Sequence, residues 1–384
     1  MRYLLFIGII LSVISCHKQD RGKKELIQNI SSQLKVLVDA TNSSGKVPRS
    51  WDAANGYRMV SERDWCSGFP AGMYWFMYEL TGDEQWQKVA VENTEKLEGV
   101  QYYTGTHDLG FMVFCSYGNA YRITGNEKYK KVIVQASESL MTRFDSVVGC
   151  IKSWDHGNWQ FPVIIDNMMN LEMLFWASKE TGNNKYRNVA VAHANTTLKN
   201  HFREDMSSWH VVDYDTITGD VVVKQTHQGL GDETAWARGQ SWGLYGYIIC
   251  YRETGDPKYL DAAVKIADFI IPNLPEDLVP YWDYNDPGIP DAKRDASAGA
   301  LIASAFYELG TFVENGQKYF DLADRLIASL SSDNYLAEVG TNGGFLLKHS
   351  VGHMPKNSEV DVPLNYADYY YLEAIKRQKE LKNK

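Results

Sequence analysis

The sequence predicts an all-α fold in which six helix pairs close into an (α/α)6 barrel, with a small β-hairpin insertion. Three observations lead to this prediction. A helix–turn–helix corner recurs along the chain, the helices on its two sides differ in composition, and the terminal helices complete six of each kind. Hydrophobic residues make up 44% of the 384 positions, which is enough to fill the core of one large domain.

The recurring corner carries a Thr-Gly pair, an acidic or amide residue and an aromatic residue at similar spacing. A glycine at the end of a helix takes the left-handed conformation easily, and Asp or Asn favours the start of the next helix. Each copy therefore predicts one helix–turn–helix. The copies are 78–86, 121–129, 177–186 and 251–259, with a degenerate fifth copy at 307–319.

The segments before each corner are rich in aromatic residues, Gly and Ala and are almost uncharged, whereas those after it have one apolar stripe and one charged face. The first kind should be buried on all sides and the second should face water. The predicted inner helices are 69–80, 111–123, 168–180, 242–253, 298–309 and 366–379. The predicted outer helices are 24–40, 84–97, 127–144, 184–200, 257–271 and 318–330.

All inner helices of such a barrel run in the same direction, so the polar residues before them should gather at one mouth. These residues lie at 64–68, 107–110, 165–167, 238–242, 295–299 and 365–368. One insertion between helices brings further residues to this mouth. Segments 209–214 and 220–225, connected by a Gly-containing turn, predict a β-hairpin whose ends bring His210 close to Gln228 at this mouth. The sequence therefore predicts a functional site there.

The N-terminus has the features of an export signal. Arg2 precedes an apolar run that is too short to span a bilayer, and residues 13–16 resemble a bacterial lipobox, which implies lipidation of Cys16. We expect a signal peptide at 1–15, a tether at 16–24 and the catalytic domain at 25–384. The expected product is an exported lipoprotein, facing the periplasm or anchored at the outer membrane of a Gram-negative bacterium. An ordinary signal peptide that happens to contain Cys16 is the alternative.

The remaining composition excludes some classes of function. The net charge of −9 and the lack of a basic cluster argue against a broad nucleic-acid surface. The other four cysteines lack metal-ligand spacing, and three pairings are possible, so no disulfide is assigned. They are Cys66, Cys115, Cys150 and Cys250, and we expect them to be small buried residues.

Two aspartates at the predicted mouth are the candidate catalytic groups. Asp108 and Asp166 each stand at the start of an apolar helix, near several tryptophans. A helix N-terminus lowers a carboxyl pKa, whereas apolar walls and a second carboxylate raise it, so one aspartate can stay protonated while the other is ionised. Such a pair suits acid/base chemistry on glycosidic substrates. The alternative is that both only cap their helices.

Arg238 and Trp242 follow on the fourth inner segment. The planar guanidinium of Arg238 suits a substrate carboxylate, although Arg238 could instead pair with Asp232 or Glu233. Trp242 lies one helical turn further and is expected either to stack on a sugar ring or to fill the core.

Three motifs carry a family resemblance: residues 106–111 (Thr-His-Asp-Leu-Gly-Phe), 165–167 (Ile-Asp-Asn) and 236–246, beginning Trp-Ala-Arg-Gly-Gln-Ser-Trp. Over about residues 25–378 the chain resembles the unsaturated glucuronyl hydrolases, glycoside hydrolase family 88. Unsaturated rhamnogalacturonyl hydrolases share the barrel, but the first motif favours the glucuronyl branch. The family fold is an (α/α)6 barrel, in agreement with the repeat count.

This resemblance implies a substrate and a reaction. The substrate is a lyase-generated oligosaccharide with a 4,5-unsaturated uronic acid at its non-reducing end. An acid protonates C4, water adds to C5, and the resulting hemiketal opens and releases the next sugar. No metal or organic cofactor is expected. The alternative functions are an unsaturated rhamnogalacturonyl hydrolase and a non-catalytic, lipid-anchored oligosaccharide-binding protein.

The resemblance also implies residue roles. Asp166 is the expected general acid/base and Asp108 its carboxylate partner. The expected substrate-binding residues are His210, Gln228, Arg238, Trp242, Trp65 and Trp159. A Ser-x-x-Ser-x-Lys element that some relatives use for sulfated substrates is incomplete here, because His353 replaces the second Ser and Lys356 comes one position late. The exact uronate substrate stays open, with glycosaminoglycan disaccharides preferred.

Overall fold

The computed structural model describes the backbone of residues 2–382 and the side chains of residues 22–382. The side chain of Cys16, the expected lipidation site, lies outside the described residues, as do the side chains of the expected signal peptide. None of the helices within residues 2–382 combines the length and the apolar character that crossing a bilayer requires. The backbone contains α1 (Arg2–Thr41), α2 (Phe69–Thr81), α3 (Glu84–Glu95), α4 (Asn119–Thr124), α5 (Glu127–Met141), α6 (Leu171–Thr181), α7 (Asn184–Asn200), α8 (Ala237–Thr254), α9 (Pro257–Asn273), α10 (Ala296–Leu309), α11 (Gln317–Leu330) and α12 (Asn365–Lys382).

The predicted alternation of inner and outer helices is confirmed. Inner helices α8 and α10 are buried over almost their whole length, whereas the outer helices α5 and α11 bury one face. The four intact corners end their helices with a glycine at a φ of 65° to 70°. The Asp or Asn that follows caps the next helix by accepting a backbone N–H two residues on. The corners therefore form as local sequence dictates.

Three inner helices begin differently from the prediction. A π-helix, Gly110–Gly118, leads into α4, and a 3-10 helix, Ile165–Asn170, leads into α6. These two starts touch, since the Phe111 N–H donates to the Asn170 side chain over 3.0 Å. Helix α8 begins at Ala237, five positions before the predicted start at Trp242. Trp242 therefore lies more than one turn below the mouth.

The predicted hairpin is present and forms part of a three-stranded sheet. Strands β6 (Val211–Tyr214) and β7 (Val221–Gln225) pair antiparallel, and β5 (Pro162–Ile164) adds to β6. Within residues 2–382 there are three further hairpins that the sequence did not predict, because their strands of two to six residues are too short to show an alternating pattern. These are β1 (Val47–Asp52) with β2 (Gly56–Val60), β3 (Phe144–Asp145) with β4 (Cys150–Ile151), and β8 (Ser350–His353) with β9 (Ser358–Val362).

A layer of aromatic side chains closes the barrel interior below the mouth. Trp242 packs on Phe111 and Tyr370 with ring centroids 5.0 and 5.5 Å apart, and Trp65 packs on Tyr366 at 4.8 Å. On the far side of this layer is a cavity of about 710 Å3, and its charged lining residues form ion pairs with one another. There Arg252 binds three glutamates, Glu172, Glu253 and Glu308.

Asp368, at the start of α12, anchors the chain that leads into β8. Its two carboxyl oxygens accept the buried N–H groups of Leu346 and Leu347, each over 2.8 Å. We predict that Asp368→Ala lowers the free energy of unfolding by about 3 kcal/mol, because two buried donors lose their partners. Urea denaturation measures this loss. Asp368→Asn, which keeps one acceptor, should lose less; equal losses in both variants would contradict the hydrogen-bond explanation.

Candidate active site

A cavity of about 440 Å3 lies at the barrel mouth. Four of the six inner-helix starts contribute to it, and loops of the hairpins complete its walls. The starts before α2, α4 and α6 supply Trp65, Asp108 and Asp166, and the first turn of α8 supplies Arg238. The predicted convergence of separate polar segments is therefore confirmed. Further lining residues include Arg49, Arg58, Tyr103, Trp154, His156, His227, Gln228, His353, Lys356 and Glu359.

Asp108 does not cap its helix. Its carboxylate instead accepts the Thr106 hydroxyl over 2.6 Å and lies 3.2 Å from His107 Nε2. Ser153 Oγ accepts the Ile164 N–H and lies 3.4 Å from His107 Nδ1. The Thr106 hydroxyl thus holds the Asp108 carboxylate at the cavity wall, with the His107 ring beside it.

Asp166 stands in the first turn of the 3-10 helix and is almost completely buried. The Ile165 N–H before it donates to the His210 carbonyl over 3.1 Å, which ties this turn to the hairpin strand β6. One of its carboxyl oxygens, Oδ2, has no hydrogen-bond partner among the described residues and is buried. An unpartnered, buried carboxyl oxygen at a cavity wall is available to a ligand.

Burial raises the pKa of Asp166 to about 7. The Arg238 guanidinium lowers the pKa, the Asp108 carboxylate raises it, and the Trp242 indole N–H lowers it again. The carboxyl group is therefore substantially protonated near neutral pH. The sequence predicted that one of the two aspartates could stay protonated, and Asp166 is the one whose pKa is raised.

His210 lies behind Asp166 and its tautomer follows from its contacts. Burial lowers the pKa of His210 well below its usual value, so the ring is neutral. Nδ1 accepts the backbone N–H groups of His227 and Gln228 at 3.0 and 3.1 Å. The ring proton must then be on Nε2, which is 3.7 Å from Asp166 Oδ2. His210 therefore presents a fixed N–H to the Asp166 carboxyl group rather than a free surface to a sugar.

Arg238 lines the cavity, but its guanidinium is already engaged. It pairs with the buried Asp295 at 2.8 Å and donates to the carbonyls of Val351 and Gly352. The suggested partners Asp232 and Glu233 are wrong, since the Asp232 carbonyl and the Glu233 carboxylate both contact Arg203. Arg238 thus connects α8, α10 and β8, and Gln228 also binds the Gly352 carbonyl, over 3.1 Å.

The three predicted tryptophans have different positions. Trp65 lines the cavity, as expected, and the Arg49 guanidinium lies 5.7 Å from its ring centroid. Trp242 is completely buried, so the expectation that it offers a ring face to a sugar is wrong in this structure. Trp159 does not line the cavity either; its indole N–H donates to Gln225, and its ring packs on Trp154, which does line the cavity.

The sequence did not point to most of the cavity rim. Glu359 in β9 binds Arg49, Ser50 and Arg58, and Arg49 also pairs with Asp64 at 3.1 Å. Across the mouth, His353 packs edge-on against His227, and Lys356 Nζ lies 3.3 Å from His227 Nε2. Of these rim residues, Asp64 belongs to the predicted polar segment 64–68, and His353 and Lys356 belong to the incomplete Ser-x-x-Ser-x-Lys element.

No group of three or more His, Cys, Asp or Glu side chains with metal-binding geometry occurs in the described part of the chain. The expectation of a reaction without metal or cofactor remains a prediction. The four cysteines outside the export signal form no disulfide in residues 22–382, and three of them are buried. This agrees with the prediction that they are small core residues.

Comparison with known proteins gives consistent matches. No family model matches the chain. The chain is 44% identical to an unsaturated glucuronyl hydrolase of Formosa agariphila, over 99% of both chains. It is 31% identical to an unsaturated chondroitin disaccharide hydrolase of Streptococcus pneumoniae, over 92% of this chain and 91% of that protein. A crystal structure of an unsaturated glucuronyl hydrolase specific for heparin superposes with a TM-score of 0.90 at 50% identity, covering 94% of this chain and 98% of the other.

Proposed function

The chain belongs to the unsaturated glucuronyl hydrolases, glycoside hydrolase family 88, and from this premise we propose that Asp166 and Asp108 are its catalytic residues. The protein is a glycoside hydrolase that removes the unsaturated uronic acid from oligosaccharides. One observation carries the residue assignment: two carboxyl groups line the mouth cavity, and one of them has a pKa raised to about 7.

In the proposed reaction, Asp166 gives its proton to C4 of the unsaturated sugar. Positive charge then develops at C5 and the ring oxygen, and a water molecule adds to C5 while its proton returns to Asp166. The hemiketal opens by breaking the bond between C5 and the ring oxygen. The hemiacetal left at C1 then loses the next sugar as an alcohol, so one water molecule is consumed per cleavage.

The surrounding residues support this cycle. The fixed Nε2–H of His210 faces Asp166 Oδ2 and would stabilise the carboxylate formed after proton transfer. Asp108, held by Thr106 and lying beside His107, places a carboxylate close to the developing cation. It also raises the pKa of Asp166, so the acid holds its proton near neutral pH. Arg238 positions β8, while Trp65 and Trp154 offer apolar walls for the sugar ring.

The experiment that tests this function follows the ultraviolet absorbance of the unsaturated uronate. Purified protein is mixed with lyase-generated disaccharides from glycosaminoglycans and, in parallel, from pectin. We expect absorbance to fall with glycosaminoglycan-derived substrates. Absence of any decrease with all uronate types would contradict the function.

The raised pKa of Asp166 makes a prediction for the pH dependence. The reaction needs the protonated acid, so kcat/KM should be level below about pH 7 and should fall as pH rises through the Asp166 pKa of about 7. This falling limb of the pH profile is measured from initial rates at fixed ionic strength between about pH 5 and 9. Each end of this range lies about two units from that pKa. A kcat/KM that already falls about tenfold per pH unit from pH 5 upward would show that Asp166 is ionised in the resting enzyme.

We propose glycosaminoglycan-derived disaccharides as the preferred substrates. This rests on relatives that are described as acting on heparin or on chondroitin disaccharides. Two polar side chains of the rim, His353 and Lys356, line the cavity where the second sugar would lie. Ser350, the part of the motif that is retained, is fully buried in β8 and does not line the cavity. Kinetics on matched sulfated and unsulfated disaccharides decide the preference.

We also propose that the protein is exported and tethered by a lipid on Cys16. The lipobox-like residues 13–16 and the short apolar run before them support this. Mass spectrometry of the mature N-terminus in a Gram-negative host tests it, with Cys16→Ser as the comparison. An unmodified N-terminus after export would contradict lipidation and leave a plain signal peptide.

A further inference from the structure

A second cavity, of about 530 Å3, adjoins the catalytic one at its outer rim. The two share Arg58, Ser358 and Glu359 in their walls. Side-chain exposure is 11% at Asp166, 16% at Asp108 and 47% at Arg58, so Arg58 lies toward the solvent end of the catalytic cavity, whereas Glu359 beside it is 5% exposed. A chain that enters the mouth with its terminal sugar at Asp166 would therefore pass this wall.

We propose that the second cavity is a binding groove for the third and later sugars of a longer anionic oligosaccharide. This inference rests on the proposed catalytic role of Asp166, which sets the direction of the bound chain. The groove runs between the hairpins β1–β2 and β8–β9, which are also joined by a bridge from Ser50 to Leu364. No predicted site residue lies in it.

The lining of the groove has the chemistry that sugars bind. Trp51 and Tyr57 are partly exposed aromatic rings, which suit the apolar faces of pyranose rings. Asn55 and Asn357 are exposed amides that can donate to and accept from hydroxyl groups. Among the charged lining residues Arg58 is positive, whereas Asp52 and Glu359 are negative. Arg58 binds Ser358 and Glu359 through Nη1 alone, within the described residues. Its remaining donors suit a carboxylate or sulfate of the chain.

The backbone of the groove is held in an unusual shape. Asn357, Glu359 and Asp361 have φ values of 46°, 56° and 60°, in the left-handed region that non-glycine residues rarely adopt. Glu359 is kept there by Arg49 and by the Ser50 hydroxyl at 2.7 Å. Such conformations persist where surrounding contacts enforce them, and they are concentrated at binding sites. Strand β9 therefore bonds to the β1–β2 hairpin on one side and presents its other side to the groove.

The test measures binding without turnover. Unsaturated di- and tetrasaccharides from the same polymer are titrated into the Asp166→Asn protein by calorimetry. We expect the tetrasaccharide to bind about fivefold or more tightly, the equivalent of one good hydrogen bond or stacking contact. Tyr57→Ala and Asn357→Gly, each added to Asp166→Asn, should reduce this advantage without changing the disaccharide Kd. Glycine accepts the left-handed turn at 357, so the second variant keeps the fold.

Tyr102→Ala is the control, because Tyr102 is exposed and lines neither cavity. Equal Kd values for the disaccharide and the tetrasaccharide would overturn the proposal. So would groove variants that weaken the binding of both substrates equally. Wild-type protein that fails to turn over either substrate but keeps the Kd difference would contradict the catalytic assignment and leave the groove supported. The two failures are thus distinguishable.

Discussion

Asp166→Asn should lower kcat by about three orders of magnitude, because the amide cannot supply the proton that C4 must receive. Binding should change little, since Asn preserves the shape and the protonated Asp166 is already neutral over much of the working pH range. Single-turnover absorbance measurements give the rate, and calorimetry with the disaccharide gives Kd. A variant with wild-type kcat would remove Asp166 from the mechanism.

A matched control for this change is Asp261→Asn on the outer helix α9. Asp261 is exposed and pairs with Lys265 at 2.8 Å, so its replacement makes the same change from a carboxyl to an amide group far from the mouth. We expect normal kinetics and a free energy of unfolding within about 0.5 kcal/mol of wild type. Circular dichroism and the denaturation midpoint of Asp166→Asn should match this control.

Asp108→Asn should lower kcat by about 100-fold and also shift the pH profile. Asp108 raises the pKa of Asp166, so removing its charge lowers that pKa and moves the falling limb to lower pH. Part of the lost activity should therefore return in acid. A profile of residual activity across the same pH range tests this, and an unshifted limb would show that the two carboxyl groups are not coupled.

Thr106→Val provides a graded comparison for Asp108. It removes the hydroxyl that donates to Asp108 over 2.6 Å but leaves the charge in place. We expect a loss of about tenfold in kcat/KM with the limb unmoved. If Thr106→Val were as damaging as Asp108→Asn, the orientation of the carboxylate rather than its charge would be the main contribution.

The sequence predicted the barrel well because its signals are local. The Thr-Gly corners need only a left-handed glycine and a capping Asp or Asn, and both act within a few residues. Asp108 and Asp166 could be placed together because parallel inner helices must start at the same end. The prediction was weaker at α8, where Arg238 and Gln240 belong to the helix rather than to the loop before it.

The cavity rim could not be predicted because its contacts join distant parts of the chain. Arg238 binds Asp295 across 57 positions, and Arg49 binds Glu359 across 310. No periodic pattern of residues along the sequence connects such pairs. The same is true of Trp242, whose role depends on whether it lies at the mouth or below it, within the aromatic layer. An earlier helix start, which a single sequence does not mark, placed it below.

The aromatic layer under the catalytic cavity has a consequence for how the enzyme meets its substrates. Trp242, Phe111 and Tyr370 pack together beneath this cavity, and no described residue lines both it and the cavity on the far side. We therefore expect products to leave through the mouth by which the substrate entered. Cleavage leaves a saturated sugar at the new end, which lacks the double bond that the reaction requires. Processive degradation is therefore ruled out. Each oligosaccharide is shortened once and released, and further trimming depends on a lyase making a fresh unsaturated end.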